Sequence, residues 1–249
     1  MNNSTTNAAN LLNQFRFEDG HENPAGYEYY LQQLFQDFEI RDKAILEIGS
    51  GRGLISLHCA LEGARRVVSM EPEMEGSTGG VSEIQRQRAN ELNLTNIELL
   101  QQDFHDADLE GQTFDAIVMI AVLNHLYETP INATKDSDVF ARYVAIARRL
   151  HSLLNEDGVV IATDACRYCL WTQANRFGLP RSLCLTQKTI DWKIHQQPSV
   201  WQRIFREAGF RSCEIQYPVP YRLQRIEPLV NNRVVNWALI GGFILHAKK

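Results

Sequence analysis

Two hydrophobic periods alternate along this chain. From Tyr27 to Phe38 the apolar side chains fall at Tyr27, Tyr30, Leu31, Leu34, Phe35 and Phe38, spacings of three and four that put them on one face of an amphipathic helix. The pattern then shifts to short apolar runs: Ile45, Leu46 and Ile48, the RRVVSM of 65–70, Ile97 to Gln101, the FDAIVMI of 114–120 and the GVVIAT of 158–163. Runs of this length bounded by turn residues read as strands. The fourth is apolar throughout from Ala116, as suits a strand covered on both faces. Helical stretches separate the runs: LISLHCALE after Gly53, a polar helix around 81–93, and a long helix after Asp136-Ser137-Asp138 with Val139, Tyr143, Ile146, Leu150 and Leu153 on one face. Strand and helix in alternation imply an α/β fold, a parallel sheet with helices on both faces and a ligand at the C-terminal strand edges. The end departs from this. A helix near Val200 to Ala208, capped by Gly209, precedes two strand-like runs, around Ser212 to Tyr217 and Val235 to His246, joined by a Pro-bearing link without a helical pattern. A parallel crossover takes a dozen or more residues, usually helical, so the last pair is expected to be antiparallel.

The opening MNNSTTNAAN has neither a basic start nor an apolar stretch, so residues 1–26 are expected to form a disordered polar tail and not a secretory signal. Residues 27–249 are then expected to form a single domain. Within it, Ala165 to Pro198 fits no sheet element and is rich in aromatic and polar groups: Tyr168, Trp171, Phe177, Trp192 and His195. Irregular insertions in compact domains are usually lids or substrate-binding pieces. Segment 165–198, with the helix at 27–38, is therefore expected to cover an acceptor pocket.

Composition narrows the partners. Hydrophobic residues are 44% and charged residues 22%, as in an ordinary soluble protein with ample core material. The net charge is −5, and the Arg-rich pieces (Arg65-Arg66, Arg86 to Arg88, Arg148-Arg149) are separated by acidic or apolar segments, which weighs against a nucleic-acid partner. The longest apolar run, AIVMIAVL at 116–123, falls well short of the roughly 20 residues that span a bilayer, so no membrane partner and a cytoplasmic location are expected. Five cysteines, an odd number without an export signal, are expected as reduced thiols. Cys166-Arg-Tyr-Cys169, with Cys184 and His195, would supply the four ligands of a structural zinc site. No second paired motif accompanies it, and no metal is expected.

The chemistry concentrates in AILEIGSGRG at 44–53, a strand, a glycine turn and the start of a helix. Glycines allow backbone angles and close approaches that a Cβ forbids, and the helix that follows presents its unpaired N–H groups to a ligand. Glu71 follows Gly51 by about 20 residues, where an acidic side chain can take both hydroxyls of a ribose. Dinucleotide turns read G-x-G-x-x-G, yet position 54 is Leu and the third glycine is Gly53. Glu47, two positions before Gly49, is a poor neighbour for a pyrophosphate and a good one for an ammonium group. This pattern resembles the class I S-adenosylmethionine-dependent methyltransferases, whose first motif runs apolar, Asp or Glu, apolar, G-x-G-x-G. The resemblance implies a Rossmann-like, mostly parallel seven-stranded sheet with helices on both faces and an antiparallel C-terminal strand pair, and S-adenosyl-L-methionine as cofactor. It implies a cofactor site of Gly49, Ser50, Gly51 and Gly53 in the turn, Glu47 near the methionine amino group, and Glu71 with Pro72 at the ribose. Asp103 would lie near the adenine amino group with Phe104 beside the ring, and Ala121 beyond strand four would flank the cofactor. Tyr27 and Tyr30 are placed to close over it, although aromatics at helical spacing are more often core.

VLNHLYE at 122–128 follows strand four, where the transferred methyl would lie. His125 is the best-placed general base, since a neutral imidazole can accept the acceptor's proton near pH 7. Methyl transfer to a good nucleophile needs mainly alignment, however, and a histidine bonding a loop carbonyl is the competing reading. His195 and Tyr168 are further catalytic candidates; His58, inside an apolar helix, reads as packed. The expected acceptor is an O, N or C nucleophile of a small molecule. Strand four lacks a following Asn-Pro-Pro-aromatic motif, which lowers the odds of adenine, cytosine or glutamine-amide methylation. Three alternatives stay open: a protein or RNA methyltransferase, an enzyme that splits or cyclises the cofactor by attack at another carbon, and a non-catalytic cofactor-binding partner.

Overall fold

In the computed structural model the described residues are 3–73, 79–170, 173, 174, 177, 178 and 193–249. The apolar runs become strands β1 (Ala44–Ile48), β2 (Arg66–Met70), β3 (Ile97–Leu100), β4 (Phe114–Ile120), β5 (Leu154–Ala165), β6 (Ser212–Gln216) and β7 (Gly242–Lys248). They form one seven-stranded sheet in the order β3-β2-β1-β4-β5-β7-β6. β1 pairs in parallel with β2 and β4, and β2 in parallel with β3, with Glu47 opposite Ser69 and Val118. β7 lies between β5 and β6 and runs antiparallel to both, so the antiparallel C-terminal pair is present as expected. The chain divides into two compact units, Met1–Met119 and Ile120–Lys249.

In the first unit the N-terminal segment departs from the expected disordered tail. Asn3–Glu18 forms helix α1, whose Leu12 (6% exposed) and Phe15 (3%) join a buried cluster with Leu57, Ala89 and Leu92. Ala8 and Leu11 pack against the same cluster, so Ala8, Leu11, Leu12 and Phe15 do follow helical spacing, but the Asn, Gln and Thr around them make the segment read as polar by composition. The end of this helix is also clamped by charge. Arg88, itself 4% exposed, reaches Asp19 with both terminal nitrogens at 2.7 and 2.9 Å, and Arg52 meets the same carboxylate at 3.0 Å. The fork-on-fork geometry of Arg88 and Asp19 is the strong form of this pair. Helix α2 (Pro24–Leu34) starts where Asn23 accepts the Gly26 N–H at 3.1 Å and proline occupies the first turn, the usual start signals. It ends at Leu34, so Phe38 lies beyond the helix. α3 (Leu54–Leu61) and α4 (Val81–Glu91) follow β1 and β2.

In the second unit, α5 (Ser137–Ser152) begins at Asp136, whose Oδ1 accepts the N–H groups of Asp138 and Val139 at 2.9 and 3.0 Å. Its buried face (Val139, Tyr143, Val144, Ala147, Leu150) packs on α6 (Pro198–Glu207), with the Tyr143 and Trp201 rings edge-on at 5.1 Å. The run from Val235 to His246 is not one strand. Asn232 accepts the N–H groups of Val234 and Val235 and starts a helix over Arg233–Leu239, preceded by the one-turn helix α7 (Glu227–Val230), so this helix is α8. Gly241 at φ +71° ends it, and β7 begins one residue later. A β-branched pair can therefore be helical when a cap precedes it.

Candidate active site

The glycine turn is held from below by β2: the N–H groups of Gly49 and Ser50 both donate to the Met70 carbonyl, at 2.8 and 3.0 Å. Gly49, Gly51 and Gly53 sit at φ +71°, +52° and +80°, the left-handed region that favours glycine. Two of them do different work. A Cβ on Gly51 would meet nothing within 4 Å, so this side of the turn is open space in which a ligand can lie. A Cβ on Gly53 would sit 2.4 Å from Gln85, so this glycine is needed for packing. Gln85 is 1% exposed and joins the turn to β2: it accepts from Ser50 Oγ at 3.3 Å and donates to Ser69 Oγ at 2.6 Å.

Two carboxylates flank the turn. Glu47 is 2% exposed, and its Oε2 accepts both the N–H of Ser56, at 2.9 Å, and the Ser56 hydroxyl. Gly53 is the N-cap of α3 and has no side chain, so Glu47 satisfies an N–H of the first turn in its place. Burial pushes the Glu47 carboxyl up to about 7, outweighing the two Ser56 bonds, and the neighbouring Glu71 charge pushes it the same way. Glu71 is 7% exposed, and its Oε2 accepts the Gly51 N–H at 2.7 Å. Its Oε1 has no hydrogen-bond partner among the described residues. That oxygen is the acceptor a ribose diol would use. Pro72 follows, half-buried.

The remaining candidates in the first unit vary. Asp103 is exposed and its Oδ1 accepts the His105 N–H at 2.7 Å, while the Phe104 ring is buried. Tyr27 is 7% exposed, stacked under the Arg16 guanidinium at 4.6 Å and beside His21 and Tyr30, at ring distances of 4.7 and 5.9 Å. It is a packed residue of α2, with Tyr30 half-buried beside it. Ser56 and Gln85, which hold Glu47 and the glycine turn in place, are residues that sequence reasoning misses. Their only signal is a hydroxyl in the first turn after a bare glycine cap and a polar residue on the buried side of α4.

In the second unit, Ala121 sits at φ +57° with its N–H on the Thr163 carbonyl at 2.8 Å. A non-glycine residue in the left-handed region is strained, and such strain clusters at functional turns. The loop beyond it is fastened by Asn124, whose N–H donates to Asp164 Oδ2 at 2.9 Å and whose Oδ1 accepts the Gln196 N–H at 2.8 Å. Gln196 in turn bonds the Ala133 N–H and the Ile131 carbonyl, each at 3.0 Å. These fastenings bring two of the three catalytic candidates together. His195, 4% exposed, has Nε2 3.4 Å from Asp164 Oδ1, and its ring lies edge-on to His125 at 6.1 Å. His125 is exposed, with Nδ1 2.6 Å from Glu128 Oε1. Tyr168, 39% exposed, stands apart: burial raises its hydroxyl, but hydrogen bonds from Arg167 and Asn132 prevail and hold it below the usual tyrosine range. Asn124, Asp164 and Gln196 escape a reading of the sequence, because buried polar residues 40 to 72 positions apart announce nothing locally.

Cys166 and Cys169 are both buried, and burial pushes the Cys166 thiol up to about 12. Among the described residues no group of three or more His, Cys, Asp and Glu is placed to hold a metal ion. Cys184, Trp171 and Trp192, with most of segment 165–198, lie outside the described residues. Among the described residues no helix is long and apolar enough to cross a membrane.

The fold has counterparts among solved structures. The chain resembles in fold a S-adenosylmethionine-dependent methyltransferase from Mesorhizobium loti, at 13% identity and a TM-score of 0.60 over 92% of this chain and 99% of that one. A SAM-dependent methyltransferase from Aquifex aeolicus matches at 13% identity and TM-score 0.57, over 92% and 95% of the two chains. The plantazolicin methyltransferase BpumL, in complex with a monoazolic desmethylPZN analog and SAH, matches at 13% identity and TM-score 0.53, over 99% and 88%. No curated protein matches in sequence. The Methyltransferase domain family matches residues 21–214, well over half of the chain and all of the glycine turn with its two carboxylates. The chain therefore belongs to the methyltransferase-domain family, among the class I S-adenosylmethionine-dependent methyltransferases.

Proposed function

We propose that this enzyme methylates an oxygen, nitrogen or carbon nucleophile of a small molecule, with S-adenosylmethionine held at the glycine turn. The carrying observation is the pair of buried carboxylates around a turn whose Gly51 side is open. Burial raises Glu47 and the neighbouring Glu71 charge adds to the rise, and a cationic ligand beside the two carboxylates offsets both effects. When bound, the cofactor supplies a sulfonium-activated methyl group. The chain supplies the rest: Glu71 Oε1 accepts from the ribose hydroxyls, Glu47 faces the ammonium electrostatically, and the turn fits the ligand closely where a Cβ would intrude. The small-molecule reading is supported by the net charge of −5 and scattered arginines, which suit a polyanionic acceptor poorly. His125 is the proton acceptor in this reading, with Glu128 at Nδ1 orienting the ring and His195 beside it.

The test is calorimetric titration with the demethylated cofactor and with NAD, followed by a product assay across phenols, amines and carboxylic acids. Binding of the sulfur cofactor without NAD, and methylated product from at least one class, is the expected result. NAD binding alone would overturn the cofactor assignment. Cofactor turnover without any methylated product would overturn the reaction.

A further inference from the structure

A cavity of about 370 Å³ lies in the first unit between α2, the turn that follows it and α3, away from the glycine turn and its carboxylates, none of which lines it. His58, on α3, lines it and is only 9% exposed. Its imidazole makes no hydrogen bond to any described residue, and its ring lies 5.9 Å from the Phe35 ring between centroids. Burial holds His58 down to about 4, so near neutral pH the ring is uncharged and offers one donor and one acceptor nitrogen. The ring nitrogens open onto the cavity and no described protein group occupies them, so a ligand there can both donate to and accept from the ring.

The rest of the cavity indicates what that ligand is. Phe35 and Phe38 form an aromatic wall with ring centroids 6.5 Å apart. Glu39, Glu62 and Arg41, all exposed, stand at the rim, and their side chains make no ion pair or hydrogen bond among the described residues. Glu28, the third carboxylate of the lining, is already paired with Arg16. Two unpaired carboxylates against one guanidinium leave the rim net negative, and aromatic faces attract cations as well. Cavities that hold small ligands combine an apolar wall with a few polar groups in this way and start near this volume.

We propose that this cavity is a second binding site, for a small aromatic amine whose ammonium is held at the Glu39 and Glu62 rim, whose ring stacks on Phe35 and Phe38, and whose polar end reaches His58. The site does not depend on the methyl-transfer reading, and its test leaves the cofactor aside. The full chain, with His58 side-chain resonances assigned, is titrated with tyramine and separately with 3-(4-hydroxyphenyl)propionate, the same ring with its charge reversed. Saturable shifts of the His58 and Phe35 signals are expected, with a dissociation constant of about 1 mM or below for tyramine and at least about tenfold weaker binding of the acid. The double substitution Glu39→Gln with Glu62→Gln, at two exposed positions, should weaken tyramine about tenfold and leave binding of the demethylated cofactor unchanged. His58→Phe should remove most of the affinity while keeping the wall apolar. His58 signals that stay fixed at about 10 mM tyramine, or equal binding of amine and acid, would overturn the proposal. So would full affinity in either variant. Calorimetry on the rim variant, which alters no buried residue, separates these outcomes even if His58→Phe does not fold.

Discussion

Replacing Glu47 with Gln should alter the pH dependence of stability more than stability at any one pH. Burial moves this carboxyl from its ordinary 4.5 up to about 7 in the folded chain. A carboxyl harder to ionise when folded contributes stability that is complete below pH 4.5 and is lost as pH rises through 7; at about 1.36 kcal/mol per pH unit the loss is on the order of 3 kcal/mol. His58 does the reverse. Its ordinary 6.5 falls to about 4, so its contribution is complete above pH 6.5 and lost as pH falls through 4, again on the order of 3 kcal/mol. The two slopes oppose each other across the same window and largely cancel in the native chain. Glu47→Gln, which keeps an oxygen for Ser56, removes one slope and exposes the other. Urea unfolding of the cofactor-free protein at intervals from roughly pH 4.5 to 7.5 reads this directly. Relative to the native chain, the variant should gain on the order of 3 kcal/mol between the acid and neutral ends, and His58→Gln should lose a similar amount. Stability differences that stay constant with pH would refute the assignment of both groups.

Glu71→Ala should weaken binding of the demethylated cofactor by about 1.5–3 kcal/mol, the range for charged hydrogen bonds, and calorimetry showing no change would place the ribose elsewhere. Gly53→Ala should cost more than Gly51→Ala in urea unfolding. Both suffer the left-handed strain of about 1–2 kcal/mol, but only Gly53 gains a collision with Gln85, worth roughly 1–3 kcal/mol more. Equal losses would mean Gln85 moves aside freely. His125→Ala should lower turnover by about 10²-fold with cofactor affinity unchanged, and normal turnover across the neutral range would leave alignment as the main catalytic device.

The residues legible in the sequence are those whose role is local. The strand, glycine turn and helix at 44–61 declare themselves because glycine is required where φ is positive, and FDAIVMI declares β4 because nothing polar interrupts it from Ala116. Glu47 and Glu71 stand out through their spacing from the turn, although nothing in the spacing indicates that Ser56 occupies one Glu47 oxygen. What stays hidden depends on distant partners. α1 is polar in composition, and its place follows from Leu12 and Phe15 meeting Leu57 and Leu92 and from Asp19 meeting Arg88, 69 positions away. The Val235 run reads as strand from its β-branched content, and the Asn232 cap overrides that preference. His58 reads as packed; it is buried, but it also lines a cavity, and periodicity does not distinguish a core face from a cavity wall.

Gln85 gives the glycine turn a kinetic character. By tying Ser50 to Ser69 while lying against Gly53, it fixes the loop before any ligand arrives. A loop that is already ordered loses little backbone freedom on binding, so encounter and docking set the speed of association. Stopped-flow mixing with the cofactor should therefore show one phase whose rate rises linearly with concentration. Gln85→Ala, which frees the turn, should bend that line toward a plateau set by the rate at which the loop finds its bound shape.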